Sequence, residues 1–235
     1  WEMRMASDPP REGDQGGGPH DQTTPTPPVH LENGCVRVEE GTRLRAVEGL
    51  HLPPLATRRR LREFLGCPAQ GRRCESRPAV ENRALTLAQL ERIERAIEEL
   101  CADGQLWWVL ETYDDGSKWW VAKRLEEEEV NLYHLDRTVV RAVTREDGCS
   151  LMELLAQGGQ PVDWYMSHAW SEPFINTMEC LRKHARDRKY AETTGVWVCA
   201  FSNSQHELRT AVATEAADSA FLRAMRAAAG TVAVV

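Results

Sequence analysis

No apolar run in this chain approaches the ~18 residues a membrane-crossing helix needs, which excludes such a span. The first residues also lack the short apolar core of a secretory signal, so the expected product is soluble and cytoplasmic. The chain lacks an initiating Met, beginning at Trp1, and is read as a fragment. No strong charge bias is present: a net charge of -7 with 28% charged residues maintains solubility without selecting a partner. Paired metal-ligand spacing is missing too. Cys67 and Cys74 are the one close pair among seven scattered cysteines, and no second Cys or His pair completes a zinc set, so reduced, packed thiols are expected and metal is not.

What is there divides the chain. Residues 1 to about 35 are rich in Gly, Pro, Asp, Gln and Thr, including Gly16–Gly18 and Pro25, Pro27 and Pro28. Such a segment buries too little to offset its ordering entropy and is expected to be disordered. From Thr42 to Arg77 nine Arg face three Glu, and Arg58-Arg59-Arg60 beside Leu61, Phe64 and Leu65 predicts a short amphipathic helix around 55–65. An acidic, RNA or membrane-surface partner is one reading of these arginines. A solvated linker with one docked helix is the better one, because no aromatic platform accompanies them; nucleic acid is therefore not the expected partner. Residues 1–83 are assigned as a disordered, Arg-rich lead.

Residues 84–161 read as a small α+β module. Leu87, Leu90, Ile93, Ile97 and Leu100 fall on one helical face over Leu87–Cys101; Thr86 and Gln89 have capping-box spacing, and Asp103-Gly104 supplies a left-handed stop. Two aromatic, β-rich runs, Leu106–Tyr113 and Ser117–Ala122, flank Asp114-Asp115-Gly116 and predict a hairpin. Its four Trp allow an aromatic binding platform, but alternation along the strands favours one ring per strand packing under the helix. Glu126–Glu129 read as a solvated turn, and Val130–Leu135 with Val139 and Val140 as an extended or partly helical packing segment. Ser150 and Glu153 again have capping-box spacing before a short helix that Gly158-Gly159 ends, and Gln160-Pro161 marks a boundary. The module carries no evident catalytic set.

Residues 162–235 alternate differently. Val162–His168 reads as a buried strand; Ser171 and Pro173 open a helix bearing Phe174, Ile175, Met178 and Leu181; Gly195–Phe201 is a second apolar run; a helix over Ser219–Ala229 follows, closed by Gly230; Thr231–Val235 is a third strand. The order β-α-β-α-β with doubly buried strands calls for a parallel sheet with right-handed crossovers.

The string Trp164-Tyr165-Met166-Ser167-His168-Ala169-Trp170-Ser171-Glu172-Pro173, followed by Trp197-Val198-Cys199-Ala200-Phe201-Ser202-Asn203-Ser204-Gln205, resembles a group of protist, dinoflagellate-type proteins with W-[FY]-x-S-H-x-W-x-E-P and W-V-C-A-[FY]-x-N-x-Q strands. These motifs open domains similar to Toll/interleukin-1 receptor (TIR) domains. Val130–Tyr133 and Cys149–Leu154 look like the lead-in, so the resemblance covers roughly 130–235. It implies an α/β fold with an incomplete flavodoxin-like (TIR-like) parallel sheet of three strands, preceded by the α+β module and the disordered N-terminus. It also implies a signalling or interaction role through protein partners or self-association, with NAD as ligand or substrate. The glutamate that works on the nicotinamide ribose in TIR enzymes is expected on a helix after the third strand, past Val235, so no catalytic residue is assigned here.

Ligands of open α/β sheets sit beyond the carboxyl ends of the strands. Candidate nucleotide-binding residues are therefore His168, Trp170, Ser171 and Glu172 after the first strand, with Ser167 beside them, and Ser202, Asn203 and Gln205 after the second, with His206 beyond. Plainer roles compete. Ser171 caps its helix, Glu172 favours the positive helix end, His168 satisfies a buried hydrogen bond and Trp170 belongs to the core. A purely structural interaction module without catalysis is the alternative function. The edge left by the third strand is expected to make the chain self-associate.

Overall fold

The computed structural model describes residues 30–32, 35–39, 58–67, 77–114, 117–156, 158–207 and 219–234. The disorder expected over the first 29 residues, and most of the Arg-rich run, lie outside the described residues. Within the lead there are nonetheless two strands, β1 (His30–Glu32) and β2 (Cys35–Glu39), and the helix expected around 55–65 is α1 (Arg58–Phe64). β2 finds hydrogen-bond partners on a hairpin some 80 residues away, which no local pattern in 30–39 signals.

That hairpin is β4 (Trp107–Asp114) and β5 (Ser117–Arg124), paired from Trp107–Arg124 to Asp114–Ser117. With β1 and β2 it makes an antiparallel sheet in the order β1-β2-β5-β4. Helix α2 (Leu87–Ala102) precedes it. Thr86 and Gln89 form the reciprocal capping box, Leu90, Ile93, Ile97 and Leu100 are buried at three- and four-residue steps, and Gly104 takes the left-handed conformation (φ 65°) that stops the helix.

After a 3-10 turn at Glu127–Glu129, the segment read as extended or partly helical is helical: α3 (Leu132–Leu135), a π-helical turn (Asp136–Val140) and α4 (Arg141–Thr144). Ser150 and Glu153 cap α5 (Leu151–Leu155) as their spacing predicts.

The second sheet has the order β3-β7-β6-β8, from β3 (Leu85–Thr86), β6 (Trp164–His168), β7 (Gly195–Trp197) and β8 (Gly230–Val234). β6 runs parallel to both β7 and β8, as the β-α-β-α-β pattern requires, while β3 joins β7 antiparallel. The crossovers use α6 (Phe174–Arg188) and, after the short α7 (Cys199–Ser202), α8 (Ala220–Ala227).

Alternation along the strands separates two cores. Met166, Val196 and Val198 face α2, α6 and the 132–155 helices, whereas Tyr165 and Trp197 face α8 and the turn at Val80–Asn82. The sheet is thus covered on both faces, in a mixed α/β fold with a mostly parallel sheet. The first core joins Leu90, Leu135 and Met152 to Met178 and Phe201, and Arg182 of α6 pairs with Glu91 and Glu94 of α2. The boundary at Gln160-Pro161 therefore does not divide the core.

Three local expectations are corrected. The second apolar run is strand only to Trp197; from Cys199 it turns helical, because a short buried run satisfies either geometry. α6 starts at Phe174 with Pro173 in the cap position, so Ser171 does not cap it. Gly230 opens β8 instead of closing α8: a Cβ there would lie 2.7 Å from the Trp164 ring, which packs across the strand.

Candidate functional site

β6 is followed by α6 and β7 on one side of the sheet, and β8 lies on its other side, with His168 opposite Val234. The crossover after β6 runs to β7 on one side, and the chain then returns past β6 to β8 on the other, so the two crossovers run in opposite directions; in open α/β sheets the carboxyl edge at such a reversal is where ligands sit.

His168 ends β6 at this edge. Both ring nitrogens are buried and neither has a hydrogen-bond partner. Burial lowers the imidazole pKa from its ordinary value, and the Met166 backbone opposes the shift. A neutral imidazole has one donor and one acceptor nitrogen, so it suits a ligand that both accepts and donates.

The loop that follows is tightly held. Trp170 is half-buried, and its indole N–H donates to the Cys199 Sγ at 3.0 Å. Burial pushes the Cys199 thiol up to about 11, which leaves it a protonated acceptor and not a nucleophile at neutral pH. The Leu132 N–H donates to the Trp170 carbonyl at 3.1 Å, and the Phe174 N–H to the Val130 carbonyl at 2.7 Å; Asn131 bridges Pro173. Ser167 and Ser171 are exposed, and the Glu172 carboxylate accepts from the Asn176 amide at 2.8 Å.

The second group of predicted residues points elsewhere. Ser202, Asn203 and Gln205 are buried. The Ser202 hydroxyl accepts from the Val198 N–H at 3.2 Å, and the Asn203 amide donates to the Cys199 carbonyl at 3.3 Å. The Gln205 amide lies within bonding distance of the carbonyls of Cys199, Ala200 and Asn203. These side chains staple α7 and the turn after it. His206 leaves the rim as well, its Nε2 2.9 Å from the Thr144 hydroxyl, with its pKa lowered by burial and by Arg141.

The structure therefore brings His168, Trp170, Ser171 and Glu172 to one edge and turns Ser202, Asn203 and Gln205 inward. It also brings in Tyr133, which the sequence did not nominate. Its ring tilts against Trp170 at 5.3 Å and 58° and remains 47% exposed. Only the pairing of 130–132 with 170–174, a long-range contact, puts it there. Among the described residues no group of three His, Cys, Asp or Glu is gathered as a metal ion requires, and no helix is long and apolar enough to cross a membrane.

No family model, curated protein or solved structure matches the chain. What stands on the geometry alone is an α/β protein with an open, mostly parallel sheet and a recessed imidazole at its carboxyl edge.

Proposed function

We propose that the chain is a TIR-like signalling and interaction protein of flavodoxin-like fold that holds a nicotinamide dinucleotide at the carboxyl edge of β6 and β8. The observation that carries this reading is the position of His168, recessed and without a partner, at the point where the strand connections reverse. Supporting it, the parallel strands run in the order β7-β6-β8, second-first-third along the chain, which is how a flavodoxin-like sheet begins. A buried polar group without a partner costs about 1–3 kcal/mol. A ligand that pairs with it recovers that penalty on binding. His168 would take a hydroxyl or amide of the dinucleotide, and the held loop Ala169–Pro173 would form one wall.

Titrating NAD into the full chain, followed by calorimetry, tests the reading. Saturable binding that His168→Ala abolishes is expected; a wild-type chain that takes up no NAD overturns it. One observation favours a second reading, an interaction module without a nucleotide: the inward turn of Ser202, Asn203 and Gln205 leaves the second loop with few groups for a ligand. Light scattering that finds stable self-association, together with no NAD uptake, would select it.

A further inference from the structure

We infer that Cys199 is a positioning residue: it carries the order of the turn that follows β7 across to Trp170, and so fixes the loop that leaves β6. The bearing of that loop on a ligand rests on the functional reading above, while the coupling itself needs no ligand.

The turn does not stand on its own backbone. α7 is four residues long, and a single helical turn lacks the cooperativity that stabilises longer helices. Buried side chains hold it instead, and they converge on Cys199. Its carbonyl accepts the Asn203 N–H and the Asn203 amide, each at 3.3 Å, and the Gln205 amide at 3.2 Å. The same Gln205 nitrogen meets the carbonyls of Ala200 at 2.9 Å and Asn203 at 3.3 Å. Three acceptors around one nitrogen fix the amide's orientation, since turning it over would set its oxygen against three carbonyl oxygens. The Gln205 Oε1 is left buried without a partner as a result.

Cys199 faces the first loop through its sulfur. The Trp170 indole N–H donates to the Cys199 Sγ at 3.0 Å. Trp170 packs against both cores, and its carbonyl accepts the Leu132 N–H, so the loop is tied down at its ring and at its backbone. Asn203 and Gln205 set the Cys199 backbone, and that backbone sets where the sulfur stands. The inward-turned residues of the second loop thereby take part in holding the first. A thiol is a weak acceptor, so the contact depends on this placement more than on the strength of the bond.

Two-dimensional NMR of the isotopically labelled full chain, with no ligand added, reads the exchange of the indole N–H groups, and Trp170→Phe assigns the Trp170 resonance. In Cys199→Ala, which removes only the acceptor atom, exchange at Trp170 is expected to quicken roughly 2- to 10-fold, the range of one lost hydrogen bond. Gln205→Met keeps the length of the side chain and removes its donors, and is expected to quicken the same signal. Cys199→Ser supplies an oxygen acceptor in place of the sulfur and should return Trp170 to within about twofold of wild type. The control is Trp107, whose indole N–H donates to the Gly104 carbonyl at 2.9 Å and should exchange alike in every variant. Trp170 exchange unchanged in Cys199→Ala or in Gln205→Met overturns the inference. So does a Cys199→Ser chain that fails to restore it, and so does an equal quickening at Trp107, which marks a general structural role. NAD uptake is measured separately, so failure here leaves the functional reading standing, and failure there leaves the coupling standing.

Discussion

Replacing Gly195 with Ala tests the junction on which the parallel sheet is built. Gly195 begins β7, pairs with Thr86 of β3, and receives its neighbours through two bonds to Asp163, its N–H to the carboxylate at 2.7 Å and its carbonyl from the Asp163 N–H at 2.9 Å. A Cβ there would stand 2.1 Å from the Pro161 carbonyl oxygen and 2.7 Å from the Ala84 Cβ. Neither obstacle is a flexible side-chain end: one is backbone, and the other is a methyl that is 0% exposed. Relief requires the 161–163 segment to move away from β7, which strains the parallel pairing of Trp164 with Val196. Overpacking typically costs about 1–3 kcal/mol, and a clash with fixed backbone belongs at or above the top of that range. At about 2–4 °C per kcal/mol for an ordered region of this size, a loss of about 3 kcal/mol lowers the midpoint by ~6–12 °C. Thermal melting by far-UV circular dichroism is the assay. Gly158→Ala is the control, with nothing within 4 Å of its added methyl, and is expected within ~0.5 kcal/mol of wild type. A Gly195→Ala chain as stable as wild type would refute the close approach of 161, 84 and 195, and with it the placement of β3 beside β7.

Four further outcomes are expected. Burial is the first cause lowering the pKa of His134, His168, His184 and His206, so each binds a proton less readily folded than unfolded; stability is therefore unaffected by them above ~6.5 and falls as pH drops below it, visible as a declining urea midpoint between pH 7 and 5. His168→Phe is expected to leave the ligand-free melting point unchanged or raised, since it removes two buried atoms without partners, while NAD binding disappears; a drop of several degrees would contradict the unpartnered placement. Burial pushes Cys67, Cys101 and Cys199 up to about 11 each, so iodoacetamide at neutral pH should label exposed Cys180 well before any of them, as peptide mass spectrometry can read. Lys189 ends α6 at φ 52°, so Lys189→Gly should stabilise by about 0.5–1 kcal/mol in denaturant titration.

The legible parts of the fold were those written in short-range chemistry. Thr86 with Gln89 and Ser150 with Glu153 each pair a side-chain oxygen with a backbone N–H three residues away, and both boxes form where their spacing puts them. The hairpin and the parallel β6, β7 and β8 followed from alternation and from runs buried on both faces. Illegible parts depended on distant partners. Leu85–Thr86 is too short for any period and becomes a strand because Val196 and Gly195 are beside it. Residues 195–201 are uniformly apolar, so nothing in them marks the change from strand to helical turn after Trp197. At the candidate site, His168 and Trp170 were nominated from their place after a strand, and the structure puts them at and just beyond the carboxyl end of β6. Ser202, Asn203 and Gln205 had the same claim, yet the helical turn offers them carbonyls and an N–H to bind, and they turn inward. Tyr133 escaped notice because nothing near it in the chain reports that 130–132 docks on 170–174.

The most direct test of the account is an NMR titration of NAD into the isotopically labelled full chain, observing the His168 ring and the backbone amides. Shifts concentrated on 167–174 and around Tyr133, with the amides of 202–205 little changed, are the predicted result. A saturated titration that leaves His168 unmoved and shifts the β4–β5 hairpin, or one that moves nothing, would contradict a ligand edge at the end of β6.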